Sequence, residues 1–300
     1  MASQQAEMIK DMMRQLRDQV VQTNVTLEEQ RAGGDMMGTM ATEPDGVSVT
    51  PADAGGVPAQ WVTPNGAATD RVLLYLHGGG YVIGSMHTHT RLVSHLAKAI
   101  GCRALNVDYR LAPEHPYPAA VDDAVTAYRS LLDNGIAPHN IVVAGDSAGG
   151  GLTIATLVAI RAQGLPNPGA AVPMSPWVDL EGTGDSMSSK AADDLIVGAD
   201  GLKMMADMYL NGQDAREPLA APLYADLRGL PPIYVQVGGD ETLLDDSTRL
   251  VAKAAAAGVE VRLDVFPEMQ HVFQISAGNV PEADEAITRI AAWLRPKLSL

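Results

Sequence analysis

The sequence predicts an α/β fold, in which a mostly parallel central sheet is flanked by helices and carries a helical cap. Strand-like and helix-like segments alternate from about residue 46 to the end of the chain. The strand-like segments, such as residues 72–76, are almost continuously apolar, which indicates burial on both faces of the sheet. A length of 300 residues, 46% of them hydrophobic, provides enough apolar surface for a large core.

The predicted elements follow one another in a regular order. Strands are predicted from apolar, β-branched runs, and helices from apolar residues at helical spacing. The predicted strands are 47–49, 57–63, 71–77, 104–109, 140–145, 170–174, 232–237 and 260–266, and the main helices are 119–132, 150–163, 242–257 and 282–294.

Two segments lie outside this alternation and predict the domain organisation. Residues 1–45 form a predicted N-terminal helical cap segment, and residues 46–300 a predicted α/β domain with a cap insertion at about 176–225. The first segment carries an apolar stripe at helical spacing, made of Met8, Ile9, Met12, Met13, Leu16, Val20 and Val21. This stripe fits equally well a helix packed on a core and a lid that touches a ligand.

Composition excludes several classes of protein and partner. A formal net charge of −15 disfavours nucleic acid as a partner. The single cysteine, Cys102, excludes an internal disulfide and predicts a small core residue. The N-terminal residues mix charges without a continuous apolar region, and no apolar stretch is long enough for an integral membrane segment. We therefore expect a cytoplasmic protein.

A candidate nucleophile lies where a predicted strand meets a predicted helix. Ser147 is the centre of a Gly-x-Ser-x-Gly sequence, with Gly145 two residues before it and Gly149 two residues after it. A nucleophilic serine in this setting needs a strained turn that projects its hydroxyl above the sheet, and small neighbours avoid a clash in that turn. The alternative interpretation is a glycine-rich turn whose serine caps a helix.

A second glycine-rich motif follows the strand predicted at 71–77. The sequence His77-Gly78-Gly79-Gly80-Tyr81 lets the backbone approach a ligand closely and point its N–H groups inward. Such donors form an oxyanion hole, and the predicted donors are the N–H groups of Gly78, Gly79 and Ala148. A phosphate-binding loop is disfavoured, because neither a Gly-x-Gly-x-x-Gly pattern nor a following Lys-Ser/Thr is present.

A nucleophilic serine needs a base, and the base needs a carboxylate that orients it. One histidine, His271, follows Ser147 in the chain, and it lies in a loop after the last predicted strand. Asp240 lies in the loop at the end of the strand predicted at 232–237 and is the predicted acid. Glu241, Asp245 and Asp246 compete with it, although the last two fall in the next helix and are predicted to face solvent.

Three blocks together resemble the bacterial hormone-sensitive lipase family of α/β-hydrolases. They are His-Gly-Gly-Gly-Tyr at 77–81, Asp-Tyr-Arg-Leu-Ala-Pro-Glu at 108–114 and Gly-Asp-Ser-Ala-Gly-Gly at 145–150. The resemblance implies the α/β-hydrolase fold, a cap, an acylated Ser147, an Asp240–His271 pair and an oxyanion hole at Gly78 and Gly79. The family often has the pattern Asp-Pro-Leu-x-Asp at the acid, and here Glu241 replaces the proline after Asp240.

The resemblance also implies a function. We expect a serine carboxylesterase that hydrolyses small-molecule esters with short to medium acyl chains, without a cofactor. A lactonase, amidase or deacetylase would use the same residues, and a non-catalytic receptor on this fold is disfavoured by the presence of His271. Many relatives pair their last strands in a homodimer. His87, His89 and His95 have no carboxylate or cysteine arranged beside them, so no metal site is predicted.

Overall fold

In a computed structural model, which describes residues 2–20 and 26–300, eight strands form one sheet. Their spatial order is β1-β2-β4-β3-β5-β6-β7-β8. Neighbouring strands from β4 and β3 through β8 are parallel, and β2 runs antiparallel to both β1 and β4. The strands are β1 (Val47–Asp53), β2 (Pro58–Pro64), β3 (Ala68–Leu76), β4 (Cys102–Val107), β5 (Ile141–Asp146), β6 (Ala170–Met174), β7 (Ile233–Gly238) and β8 (Val261–Phe266).

Helices cover both faces of this sheet. In order they are α1 (Gln4–Val20), α2 (Leu27–Met37), α3 (Met86–Ile100), α4 (Ala119–Asp133), α5 (Ala148–Ala162), α6 (Ser186–Ser189), α7 (Ala199–Leu210), α8 (Leu244–Ala256) and α9 (Pro281–Lys297). No helix in the described part of the chain is long and apolar enough to cross a bilayer.

Alternate residues of the central strands build two separate cores. Val72, Leu74 and Leu76 of β3 pack on one face with α4, α5 and α8. Leu73 and Tyr75 of the same strand point the other way and pack with α3 and α9. Because both faces are covered, the central strands carry no polar face, which is the reason for their continuous apolar sequence.

The structure confirms the predicted fold class and the order of strands and helices. Strand β6 begins and ends where predicted, and most other boundaries differ by one to three residues. The largest shift is at the end of β1, which is predicted at residue 49 and extends to Asp53. Cys102 is a fully buried core residue, as expected.

The N-terminal segment contains two helices. In α1, Ala6 and Ile9 pack in a cluster with Phe266 and Phe273, whereas Met8 and Met12 are exposed. The end of the predicted apolar stripe, at Val21, lies outside the described residues, as do the side chains of Leu16 and Val20. In the described part of this stripe, Ile9 packs on a core while Met8 and Met12 face solvent.

The topology brings several strand ends to one edge of the sheet. Because β3, β5, β7 and β8 are parallel, the loops that follow them lie side by side. These loops carry the triple glycine, Ser147, the acidic pair at 240–241 and His271. Strand β8 forms one edge of the sheet, and pairing of two chains through it stays a prediction.

Candidate functional site

Ser147 occupies a sharp turn between β5 and α5. Its backbone has φ 53° and ψ −120°, a left-handed conformation that a residue with a side chain rarely adopts. The turn is held by the Ser147 N–H, which donates to the Met174 carbonyl at 2.9 Å, and by the Ser147 carbonyl, which accepts from Trp177 at 2.9 Å. Strain of this kind is stored where the surrounding structure over-determines it, and it aims the hydroxyl out of the sheet.

The glycines on either side of Ser147 are sterically required. A Cβ atom at Gly145 would lie 2.4 Å from the Leu76 carbonyl oxygen, and one at Gly149 would lie 2.0 Å from the same oxygen. Both distances are far below van der Waals contact, and the obstructing atom belongs to the backbone. The approach of β3 is therefore the physical reason for the two glycines that flank Ser147.

His271 connects the serine to a carboxylate. Its Nε2 lies 2.8 Å from Ser147 Oγ, and its Nδ1–H donates to Glu241 Oε2 at 2.8 Å. All three side chains are buried or nearly so. Burial alone would lower the pKa of His271, but the Glu241 carboxylate raises it above its ordinary value. The imidazole is thus oriented by one neighbour and presented as a base to the other.

The prediction that Asp240 contacts His271 is wrong, because the carboxylate in that position belongs to Glu241. The Asp240 carboxylate points away from His271 and lies 3.4 Å from Lys190 Nζ and 3.6 Å from Lys10 Nζ. Its side chain is 23% exposed, whereas that of Glu241 is 0% exposed. The Asp240 N–H donates to the Met269 carbonyl, and this turn directs the next side chain, Glu241, toward His271.

A signal in the sequence identifies Glu241 once the family pattern is shifted by one residue. Asp-Pro-Leu-x-Asp aligned on Asp240 matches poorly, whereas Glu241-Thr242-Leu243-Leu244-Asp245 keeps the acid, the leucine and the final aspartate. The other two competing residues have different roles. Asp245 Oδ2 accepts from the Ser186 N–H at 2.9 Å. Asp246, expected to face solvent, is buried, and that burial raises its pKa to about 7.

Ser175 and the end of β7 complete the surroundings of Glu241. The Ser175 hydroxyl donates to Glu241 Oε1 at 2.6 Å, and the Gly238 N–H donates to the same oxygen at 2.5 Å. The Ser175 oxygen also accepts from the Val272 N–H at 3.2 Å. One serine therefore contacts both the carboxylate and the residue after the histidine. No sequence motif singled out Ser175.

The triple glycine lies beside Ser147, but its N–H groups differ in their availability. The Gly78 N–H donates to Asp146 Oδ1 at 3.1 Å, so the prediction that Gly78 offers a free donor is wrong. Gly79 and Gly80 have φ of 116° and 62°, and neither N–H has a hydrogen-bond partner among the residues that the structure describes. Ala148 opens α5, where N–H groups lack intrahelical partners.

Asp146 connects the triple-glycine loop to the turn that contains Ser147. Besides the Gly78 N–H, its buried carboxylate accepts from the Tyr75 hydroxyl at 2.7 Å and from His89 Nε2 at 3.2 Å. Burial alone would raise the pKa of Asp146, but His89 and then Tyr75 lower it below its ordinary value. Because Asp146 immediately precedes Ser147, one carboxylate connects the two motifs.

His77 hydrogen-bonds to the same loop through its side chain. Its Nδ1–H donates to the Gly78 carbonyl at 2.7 Å, and its ring stacks on Tyr109 with 4.2 Å between centroids. Burial, reinforced by His89, lowers the pKa of His77 to about 4, so the ring stays neutral at ordinary pH. The motif histidine is therefore a structural support.

An apolar cavity of about 210 Å³ opens above Ser147 and His271. The triple glycine and the loop after His271 form its floor, and α2, α7 and the residues before α7 form its roof. A Cβ atom at Gly80 would lie 2.1 Å from Met205 Sδ, so α7 closes directly over the glycine loop. The residues that line the cavity include Gly34, Ile83, Ile196, Val197, Leu202, Met205, Val272 and Ile275.

The remaining histidines near this region do not converge. His89 contacts Asp146, His95 contacts Thr42, and His87 is exposed. Within residues 2–20 and 26–300, no group of three His, Cys, Asp or Glu side chains has the arrangement that a metal ion needs.

Comparison with known proteins places this geometry in a family. A family model described as the alpha/beta hydrolase fold matches residues 73–275. The chain is 46% identical over 253 residues to an acetyl-hydrolase of Streptomyces hygroscopicus, covering 83% of this chain and 84% of that protein. It is 36% identical over 248 residues to an esterase of Acinetobacter venetianus, covering 82% of each.

Solved structures resemble the chain over almost its whole length. An esterase from the bacterial hormone-sensitive lipase family superposes with a TM-score of 0.95 at 46% identity, covering 99% of both chains. The esterase EstE5, in a crystal soaked with p-nitrophenyl butyrate, superposes with a TM-score of 0.93 at 42% identity, covering 100% of both chains.

Proposed function

The chain belongs to the bacterial hormone-sensitive lipase family of α/β-hydrolases and is a carboxylic ester hydrolase, and on that premise we propose that it acts through a Ser147–His271–Glu241 triad. Its substrates are esters with short to medium acyl chains. The observation that carries the proposal is the pair of 2.8 Å contacts that connect Ser147 Oγ, both nitrogens of His271 and the Glu241 carboxylate.

The proposed reaction is a two-step acyl transfer. Ser147 Oγ attacks the ester carbonyl carbon while His271 Nε2 takes the hydroxyl proton, and Glu241 stabilises the imidazolium that results. The tetrahedral intermediate expels the alcohol, which leaves with the proton from His271, and an acyl-serine remains. Water then attacks that ester, gives its proton to His271, and releases the acid as Ser147 recovers its proton.

The negative oxygen of the tetrahedral intermediates needs donors already in place. We assign this role to the N–H groups of Gly79, Gly80 and Ala148. The assignment is supported by the unused N–H groups of Gly79 and Gly80 beside Ser147, and it omits Gly78, whose N–H contacts Asp146.

The size and lining of the cavity support the proposed substrate class. A volume of about 210 Å³ with an apolar lining suits a short hydrocarbon chain, and apolar burial favours such a chain over a charged one. The acetyl-hydrolase and esterase relatives point the same way. The predicted cap, formed by residues 1–45 and the insertion at about 176–225, supplies the roof of this pocket in the proposal.

A panel of substrates tests this function. We expect turnover of p-nitrophenyl acetate and butyrate with a decline toward octanoate and longer chains, because a cavity of about 210 Å³ favours short chains. A lactone and an acyl-anilide with the same acyl group separate esterase activity from lactonase and amidase activity. Absence of turnover on every ester, or a faster reaction on the anilide than on the matched ester, would overturn the proposal.

The role of Ser175 gives a second expected outcome. Ser175→Ala removes a hydrogen bond to the Glu241 carboxylate, so kcat falls about tenfold while KM is almost unchanged. Steady-state kinetics on p-nitrophenyl butyrate measures both constants. Ser94→Ala is a matched control, because Ser94 is also buried but its hydroxyl contacts only the Thr90 carbonyl within α3. Equal effects of the two variants would contradict the assigned role.

A further inference from the structure

The cavity has one wall without regular secondary structure. Residues 190–197, which we call the wall segment, lie between α6 and α7 and form turns and extended chain. Ile196 and Val197 of this segment line the cavity together with Ser147 and His271. Because a segment of this kind cannot satisfy its N–H groups in a helix or sheet, its position depends on hydrogen bonds to side chains.

Asp194 contacts both the wall segment and residues 239–243, the loop after β7 that carries Glu241 and that we call the acid loop. Its Oδ1 accepts from the N–H groups of Ile196 at 3.0 Å and Val197 at 2.8 Å. Its Oδ2 accepts from the N–H of Thr242 at 2.8 Å and from the Thr242 hydroxyl at 3.0 Å. Thr242 directly follows Glu241 in the chain. One oxygen of this buried carboxylate therefore accepts hydrogen bonds from the wall segment, and the other accepts hydrogen bonds from the acid loop.

A second side chain ties the wall segment to the histidine loop. Gln270, which directly precedes His271, accepts from the Leu195 N–H at 2.7 Å and donates to the Asp193 carbonyl at 3.0 Å. A weaker third tie is the ion pair between Lys190 and Asp240, which directly precedes Glu241. Residues adjacent to the acid and to the base thus hold the same short segment.

The chemistry of Asp194 makes it difficult to replace. The carboxylate accepts four hydrogen bonds, and each of its oxygens faces at least one backbone N–H. An asparagine would present one oxygen and one NH2 group, so the NH2 group would face backbone donors on one side or the other. Either the wall or the acid loop would lose its acceptor and move away.

We propose that Asp194 is a positioning residue that fixes the distance between the pocket wall and the triad, and that this distance sets the acyl chain length accepted. The proposal rests on the esterase function proposed above. It assigns Asp194 no contact with the substrate. When the tie is broken, the wall retreats, long chains gain room, and short chains lose the contacts that align their carbonyl with Ser147.

The test compares Asp194→Asn with Asp193→Asn on p-nitrophenyl esters from acetate to octanoate. The two variants remove the same charge at adjacent positions, but Asp193 is half-exposed and pairs with Lys190, and its backbone carbonyl still accepts from Gln270. We expect Asp194→Asn to raise the octanoate-to-butyrate ratio of kcat/KM by about fivefold or more, through a higher KM for butyrate and a lower KM for octanoate. Asp193→Asn leaves the ratio within about twofold.

The ratio separates positioning from a general loss of structure. Partial unfolding lowers the active fraction equally for every substrate and leaves the ratio unchanged. A folded Asp194→Asn protein with the wild-type ratio overturns the proposal. If Asp194→Asn fails to fold, the same ratio is measured on Gln270→Met, which removes the two contacts to the wall segment, and an unchanged ratio there also overturns it.

The wild-type protein keeps this test distinct from that of the proposed function. A wild type that hydrolyses none of the esters refutes the esterase function. A wild type that hydrolyses them, with ratios unaffected by the Asp194 and Gln270 variants, refutes the positioning role alone.

Discussion

Glu241→Gln lowers kcat about 10³- to 10⁴-fold, whereas Asp240→Asn leaves it within about threefold. The glutamine has nearly the same shape as the glutamate, but it carries no charge to stabilise the imidazolium, and its NH2 group can favour the wrong tautomer of His271. Asp240→Asn weakens ion pairs with Lys10 and Lys190 and leaves His271 untouched. Each variant serves as the control for the other, because they are the same type of change at adjacent positions.

The same pair of variants also differs in pH dependence. His271 acts as a base only when it is neutral, so activity falls as the pH decreases through its pKa. In the wild type Glu241 raises that pKa above the ordinary value of about 6.5, although burial opposes the rise. Without the Glu241 charge, burial lowers the pKa, so the residual activity of Glu241→Gln extends to lower pH. The acid limb of kcat/KM against pH measures the shift, and Asp240→Asn keeps the wild-type limb.

A single result would reverse this assignment. Loss of activity in Asp240→Asn with retention in Glu241→Gln would return the acid to Asp240 and require the loop after β7 to rearrange during the reaction.

Ser147→Ala lowers kcat by at least about four orders of magnitude on every ester in the panel. The alanine has no oxygen to form the acyl-enzyme, while the unchanged backbone donors and His271 can assist only the direct attack of water. The fold remains, because among the described residues the Ser147 hydroxyl hydrogen-bonds to His271 alone, and that contact does not belong to the sheet. Ser94→Ala, with a buried serine in α3, keeps wild-type activity as a control for the substitution itself.

A contrary outcome would remove Ser147 from the mechanism. Substantial turnover by a Ser147→Ala protein, with the same melting temperature as wild type, would require a different nucleophile or a water attack that needs no serine.

Much of the fold is predictable from the sequence, for a physical reason. The segment at 72–76 is apolar at every position because its alternate side chains enter different cores, and no exposed strand or amphipathic helix has that pattern. Ser147 and His271 were predictable because a strained turn between a buried strand and a helix admits few sequences. The chain also offers one histidine after that turn.

The carboxylate that contacts His271 was not predictable by the same reasoning. Asp240 and Glu241 are adjacent, both are carboxylates, and both follow β7. The turn after β7 decides which of the two faces His271. In this turn the Gly239 N–H donates to the Phe266 carbonyl, and the Asp240 N–H donates to the Met269 carbonyl. Those contacts join parts of the chain almost 30 residues apart, so the local pattern carries no information about them.

The proposed oxyanion donors show a related difficulty. A run of three glycines predicts close backbone approach but not which N–H is free. The Gly78 N–H donates to the Asp146 carboxylate, and this contact joins the ends of the neighbouring strands β3 and β5. Asp194 and Gln270 are similar cases, because their importance appears only when the wall segment is seen beside the loops after β7 and β8.

The most direct test of the account is covalent labelling with diethyl p-nitrophenyl phosphate. A serine activated by His271 displaces p-nitrophenol from phosphorus, and the resulting phosphoryl-serine hydrolyses slowly. We predict release of one p-nitrophenol per chain, a parallel loss of esterase activity, and a diethylphosphoryl group located by peptide mass spectrometry on Ser147. A modified residue other than Ser147, or full inhibition without any covalent adduct, would contradict the account.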